Sequence, residues 1–338
     1  MLSIGTVHLP SPLILAPMAG VSDLPFRLVA RELGCGFAFT EMISMRSLVQ
    51  GNRKTGAMLA TRAGDQPLGV QLLGRDAELA PRALEALRDG NFALVDINAA
   101  CPVGKVVSRG EGASLMKEPD ALYKLLRAVV RYAAAPVTVK IRAGWDDRSI
   151  NAREVALRAQ DAGISGLLIH GRTRMQGYSG TVSYRVIAEV KEALSIPVIA
   201  SGDALSPQLI KKLFDETGAD GVAVARGALG NPWIFRQAAQ FLCEGTPAPE
   251  PAGDELAAVM RRHLELCIAH CGEGAGTMVF RKLFAWYIKG RPLVRQLKQK
   301  AFHAQSAAEM RALIDSFLDR GEGAEPHLPL CSPRPLAA

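Results

Sequence analysis

The chain has 338 residues, with 40 basic against 33 acidic side chains and a formal charge of +7. A hydrophobic share of 49% with 22% charged residues excludes an intrinsically disordered chain, and no apolar run reaches the roughly 18 residues that a membrane-spanning helix needs. The basic balance favours an anionic partner, either nucleic acid or a phosphorylated cofactor. Six cysteines without the dense spacing of a disulfide scaffold read as reduced thiols, and residues 1–10 lack a signal-like start, so a cytoplasmic location is expected.

In chain order, short apolar runs alternate with amphipathic stretches. Residues 13–16 read as a strand, followed by Pro17, Met18, Ala19 and Gly20 and a helix opened by Ser22 or Asp23 and closed at Gly34. Residues 37–40 are the next strand, whereas 45–66 is polar and glycine-broken and reads as a long loop. Residues 68–72 form a third strand with a helix over about 76–90, and 94–98 a fourth, ending on Asn98, Ala99, Ala100, Cys101 and Pro102. A thiol just past a strand end, three residues after an amide, is a first pointer to chemistry. A glycine-rich loop over 104–113 precedes a helix from Pro119. Further strands follow at 137–141, 167–170, 198–201 and 222–225, separated by helices near 151–162, 183–194 and from Pro207, with another helix from Pro232.

Eight short strands separated mostly by helices imply parallel pairing, because each return to the same end of a sheet needs a crossover. The expected fold is therefore α/β, a (β/α)8 TIM barrel. An open doubly wound sheet would normally carry a G-x-G-x-x-G turn after its first strand, and residues 17–23, PMAGVSD, are not one. The expected domains are a barrel over 1–243, a Pro- and Gly-rich linker over 244–254 and a helical domain over 255–320, followed by a disordered tail over 321–338. Within the helical domain, residues 255–272, 277–289 and 307–320 read as helices.

Barrel enzymes keep their sites at the C-terminal ends of the strands. Gln71, Asn98, Cys101, Lys140, Arg142, His170, Arg172, Ser201, Asp203 and Arg226 all fall there. Singly, each has a structural reading as a strand tie, a barrel ion pair or a hydrogen-bonded core histidine. Together they are more polar groups than core satisfaction requires. Ser201-Gly202-Asp203 and Ala225-Arg226-Gly227 occupy the loops after strands seven and eight, where barrels commonly hold phosphate.

At this point the chain resembles the tRNA-dihydrouridine synthase family, above all its bacterial B-type branch. The resemblance rests on APMAGVSDLPFR (16–27), INAACP (97–102), VKIRAGW (139–145), IHGRT (169–173), SGD (201–203) and ARGALGNPWIF (225–235), and runs from about residue 3 to residue 320. It implies a barrel binding flavin mononucleotide (FMN) and reducing a tRNA uridine to 5,6-dihydrouridine, with NADPH or NADH as transient reductant. It further implies that Pro17, Met18 and Ala19 line the flavin ring, Gln71 and Lys140 hydrogen-bond it, and His170 flanks it. Ser201, Gly202, Asp203, Ala225 and Arg226 would hold the phosphate, Cys101 would donate a proton to C5 of the uracil, and Asn98 and Arg142 would hold the base. A thiol of ordinary pKa near 8.5 stays protonated at neutral pH and suits that acid role.

The substrate base must be swung out of a folded RNA while the backbone is gripped elsewhere. Lys105 and Arg109 in the glycine-rich loop are candidates for that grip. So are Arg281, Lys282, Lys289, Arg291, Arg295 and Lys298 in the acid-free stretch 281–300, where Trp286 and Tyr287 read equally as core. The chain departs from the family pattern at Ser201 and Ala225, and at Leu283, where an Arg-Lys-His sequence is common. Ala225 is tolerable if its φ is negative. No metal is expected, because His263, Cys267, His270 and Cys271 lie on one helix, which cannot wrap a tetrahedral ion. A monomer is expected. The alternatives are a non-catalytic RNA-binding protein on the same barrel and a Schiff-base aldolase using Lys140.

Overall fold

The computed structural model describes residues 1–290 and 294–318. An antiparallel hairpin, β1 (Leu2–Ile4) and β2 (Val7–Leu9), comes first. It escapes sequence reading because three-residue strands are too short for a period of two to register. Its Leu2, Ile4 and Leu9 join Ile14, Phe37, Phe39, Leu94, Leu168 and Ile199 in one apolar cluster inside the barrel.

Eight parallel strands then close on themselves: β3 (Leu13–Leu15), β4 (Phe37–Ser44), β5 (Leu68–Leu73), β6 (Leu94–Asn98), β7 (Val137–Arg142), β8 (Gly166–His170), β9 (Val198–Ser201) and β10 (Gly221–Val224), the last pairing with β3. These runs are nearly continuously apolar because barrel strands are buried on both faces. β4 continues past Thr40 to Ser44 through a register shift between Phe39 and Met42. The register sets Gln71 beside Asp96, Asp96 beside Thr138, Asn98 beside Lys140 and Arg142 beside His170. Side chains alternate along a strand, so Asp96 and Asn98 share a face of β6, as Thr138, Lys140 and Arg142 share one of β7.

Helix α1 (Leu24–Glu32) starts at Asp23, whose carboxylate accepts from Phe26 N at 3.0 Å, with Pro25 in its first turn. The stretch 45–66 is not the long loop expected. It forms α2 (Met45–Val49), α3 (Arg53–Met58) and a 3₁₀ turn Ala63–Asp65, with Ser44 and Asn52 capping the two helices. Asp65 is fully buried and holds Arg27 through Nη2 at 2.7 Å, which ties this stretch to α1. Over 76–90 only α4 (Ala80–Glu85) is α-helical, flanked by 3₁₀ turns. The glycine-rich loop contains α5 (Gly104–Val107) and a 3₁₀ segment Gly112–Lys117. The outer ring is completed by α6 (Pro119–Tyr132), α7 (Ala152–Asp161), α8 (Tyr184–Ala193), α9 (Pro207–Thr217) and α10 (Ile234–Glu244).

The C-terminal module comprises α11 (Gly253–Cys271), α12 (Glu273–Tyr287), α13 (Val294–His303) and α14 (Ala307–Leu318). Its first helix begins at Gly253, so the connector is 245–252 rather than 244–254, and α13 was not expected from sequence. The module packs firmly on the barrel. Arg262 pairs with Glu32 at 2.7 Å, Trp233 Nε1 donates to Glu255 at 2.7 Å, and one continuous apolar cluster runs from α1 into α11 and α12. The expected tail over 321–338 lies outside the described residues, as do residues 319 and 320 at the end of the expected helical domain. Among the described residues no helix is long and apolar enough to cross a membrane.

Candidate active site at the barrel mouth

The strand ends bring together most of the residues singled out from sequence. Gln71 (1% exposed) and Asn98 (6%) sit side by side, Asn98 Nδ2 donating to Gln71 Oε1 at 2.8 Å. Asn98 Oδ1 accepts the backbone N–H groups of Ala100 at 3.1 Å and Cys101 at 2.8 Å, so an amide shapes the turn that carries the thiol. The turn is held twice more, by Arg142 Nε on Ala100 O at 2.6 Å and by Ala113 N on Cys101 O at 3.0 Å. Burial is the largest influence on the Cys101 thiol and raises its pKa above the ordinary value, outweighing the lowering by the Val103 backbone and Arg142. The thiol is therefore protonated at neutral pH. Arg142 is buried, and its Nη1 donates to Thr173 O at 2.8 Å and Gly177 O at 2.9 Å, so much of its hydrogen-bonding capacity braces loops.

Asp96 is the residue that sequence reasoning missed. It accepts Gln71 Nε2 and Thr138 Oγ1, each at 2.7 Å, and is fully buried. Burial raises its pKa to about 6, with Gln71, Thr138 and Lys140 pulling the other way. The available signal was a carboxylate in the middle of a buried apolar run, which needs partners. Lys140 is half-buried, but its Nζ is fully buried without a hydrogen-bond partner, and burial lowers its pKa to about 8. His170 Nε2 is likewise buried and unpartnered. Burial, then the nearby Arg142, Lys140, Arg172 and Arg226, hold this imidazole neutral.

The loops after β9 and β10 form a second cluster, packed against His170. Gly202 has φ +122°, and a side-chain carbon there would stand 2.8 Å from His170 Cδ2, so only glycine lets this backbone lie against the imidazole. Asp203 accepts from two guanidinium groups, Arg172 Nη1 at 2.9 Å and Nη2 at 2.6 Å, and Arg226 Nη2 at 2.9 Å. Two cations on one carboxylate leave a net positive corner suited to an anion. Arg172, noted at the mouth from sequence but given no role there, is this clamp's buried member at 2% exposure. Ala225 has φ −114°, so its methyl group meets no left-handed penalty. Tyr178, also missed, is 56% exposed and sets its ring over the guanidinium groups of Arg142 at 5.7 Å and Arg226 at 5.6 Å. Pro17 and Met18 are half-buried and Ala19 exposed just beyond β3, in a turn where Met18 O accepts from Val21 N and Ser22 N at 3.0 Å each.

These features fit FMN. Lys140 Nζ and His170 Nε2 are buried polar atoms with unused capacity, which costs about 1–3 kcal/mol apiece unless a ligand meets it. A glycine-lined, net cationic corner faces them from β9 and β10.

The cations expected to meet RNA divide into groups. Lys105, Arg109, Lys289 and Arg295 are exposed and Lys298 half-buried. Arg281 instead donates Nε to Ala304 O at 2.9 Å, tying α12 to the end of α13, and Lys282 Nζ donates to Gly20 O, tying the module to the mouth. Arg291 lies outside the described residues. Tyr287 and Leu283 are buried in the module, and the Tyr287 hydroxyl hydrogen-bonds His263 Nδ1 at 2.9 Å.

Comparison with known proteins gives a consistent picture. A family model described as Dihydrouridine synthase (Dus) matches residues 14–321. Over 318 residues the chain is 38% identical to tRNA-dihydrouridine synthase B of Xanthomonas campestris pv. campestris, covering 94% of this chain and 96% of that protein. Over 314 residues it is 37% identical to tRNA-dihydrouridine synthase B of Pseudomonas aeruginosa, covering 93% and 95%. Among solved structures it resembles morphinone reductase in complex with tetrahydroNAD, with a TM-score of 0.53 at 14% identity over 75% of this chain and 92% of that one, a likeness of fold alone.

Proposed function

Because the chain belongs to the dihydrouridine synthase family, we propose that it reduces the C5=C6 bond of a uridine in tRNA, with FMN as its cofactor and NADPH, or NADH, as the reductant. The observation that carries this reading is a half-buried thiol, Cys101, held just past the end of β6 by Asn98 Oδ1 and Arg142, at the same end of the barrel as the unpartnered Lys140 Nζ. A bound, reduced flavin would supply a hydride to C6 of the uracil. The remaining work falls to the chain. Cys101 gives its proton to C5 and is reprotonated from solvent. Asn98 and Gln71 keep the Cys101 turn in place, and Arg142 braces it through Ala100 O. Lys140 and His170 meet the polar edge of the cofactor, while Arg226, with Ser201, Gly202 and Asp203, holds its phosphate. Pro17, Met18 and Ala19 line the ring. The exposed cations Lys105, Arg109, Lys289 and Arg295, with the half-buried Lys298, are offered to the tRNA backbone. In this reading the protein works as a cytoplasmic monomer.

The test is Cys101→Ala followed by absorption spectroscopy. The variant is expected to keep a flavin band that bleaches with NADPH, and to lose about 10²–10⁴-fold in the rate at which unmodified tRNA restores that band. In the native protein the same rate should hold up to the ordinary thiol pKa near 8.5 and fall only above it, because a raised pKa keeps the donor protonated further into base. Normal turnover by Cys101→Ala, or a basic limb well below pH 8, overturns the acid role.

A further inference from the structure

Gln71 and Asn98 end in primary amides, whose oxygen and nitrogen differ little in shape, so the way each one faces is decided by its hydrogen-bond partners. In this site one group sets the direction. Asp96 is buried at the centre of β6 and, when ionised, can only accept. It takes Thr138 Oγ1–H on Oδ1 and Gln71 Nε2–H on Oδ2, both at 2.7 Å. With its NH₂ turned to Asp96, Gln71 presents Oε1 to Asn98, which donates Nδ2–H at 2.8 Å. Asn98 then has only Oδ1 to offer the chain beyond the strand, where it accepts the N–H groups of Ala100 at 3.1 Å and Cys101 at 2.8 Å. Every bond points the same way, from the Cys101 turn back to the carboxylate.

We propose that Asp96 is a positioning residue: its carboxylate fixes the direction of the Gln71–Asn98 amide chain and, through it, the placement of the Cys101 thiol. The inference rests on Cys101 being the proton donor. If the amides reversed, the Asn98 NH₂ would face the N–H groups of Ala100 and Cys101, donor against donor, and the turn would lose both bonds. The charged group facing Asp96 is Lys140 on β7, while Gln71 on β5 and Thr138 on β7 are neutral. On protonation Asp96 becomes a donor itself and no longer enforces one direction. With its pKa at about 6, the loss of direction should set in as pH falls through that value.

Asp96→Asn is nearly isosteric but lets its own NH₂ face Gln71. The variant is expected to hold flavin and bleach with NADPH, while single-turnover reoxidation by unmodified tRNA slows about ten- to hundredfold, the cost of misplacing a catalytic group by about 1 Å, with little change in the KM for tRNA. Native protein should show an acid limb near pH 6 in tRNA reoxidation but not in NADPH bleaching, and Asp96→Asn should lose that limb. Thr138→Val leaves the Asp96–Gln71 bond but removes a hydrogen bond that lowers the Asp96 pKa, so above its acid limb, which should move to higher pH, it should reoxidise within about threefold of native, an interval of under 1 kcal/mol. Native reoxidation without the acid limb overturns the proposal whatever the variant's folding. So does Asp96→Asn turning over like native protein, or Thr138→Val failing as badly as Asp96→Asn at a pH above its acid limb. Native flavin that unmodified tRNA does not reoxidise at all overturns the synthase reading instead.

Discussion

Replacing Lys140 by Met should move two quantities in opposite directions. The side chain keeps its length and loses its ammonium, which is buried without a hydrogen bond beside the Asp96 carboxylate. In the flavin-free protein an unpaired buried donor costs about 1–3 kcal/mol. Its removal is partly offset, because Asp96 loses the cation that lowers its pKa. The flavin-free variant should therefore be as stable as the native protein or up to about 2 kcal/mol more stable. At roughly 0.7 kcal/mol/K of unfolding entropy for a chain of this size, that is about 3 °C in Tm at most. FMN affinity should fall, because a hydrogen bond from a charged donor contributes about 1.5–3 kcal/mol, equivalent to a Kd weaker by about 10- to 150-fold. Thermal unfolding of stripped protein gives the first quantity and FMN fluorescence titration the second. A flavin-free variant that melts several degrees lower and binds FMN normally would refute the reasoning and make Lys140 an internal partner of Asp96.

Asp65→Asn leaves the Arg27 guanidinium, 1% exposed, without its carboxylate, and should cost about 3–5 kcal/mol, or roughly 4–7 °C in Tm; a shift under about 1 °C would show that Arg27 finds other acceptors. In the C-terminal module, Arg295→Gln removes an exposed cation and should reduce the slope of log K for tRNA against log salt by about 0.7–0.9 per lost phosphate contact. Arg281→Gln should leave that slope unchanged and lower thermal stability, since its donors end on Ala304 O; the opposite pattern would reverse the two roles.

The barrel was legible because strands buried on both faces must be apolar throughout, and each of the eight was foreseen to within a few residues, except β4, which runs on to Ser44 through a register shift. The stretch 45–66 was not legible. Its helices α2 and α3 have only five and six residues, too few for a helical period, and what orders it is Asp65 holding an arginine 38 residues earlier. The helix α13 was missed within a basic stretch that reads as an RNA grip rather than as packing. Among the cations of 281–300, composition alone could not separate Arg281, which caps a carbonyl, from Arg295, which faces solvent.

By itself, the sequence determined the alternation of elements, the parallel closed sheet it requires, and the strand-end positions of Gln71, Asn98, Cys101, Lys140 and His170. A continuous apolar run and the point where it ends are local properties, so they can be read from neighbours in the chain. Which donor meets which acceptor was decided only by the tertiary structure. Asp96 finds Gln71 25 residues before it and Thr138 42 residues after it, and Asp203 is shared by Arg172 and Arg226 from two other loops. Those pairings depend on barrel closure and register, because hydrogen bonds form over about 3 Å between groups that the chain order keeps far apart.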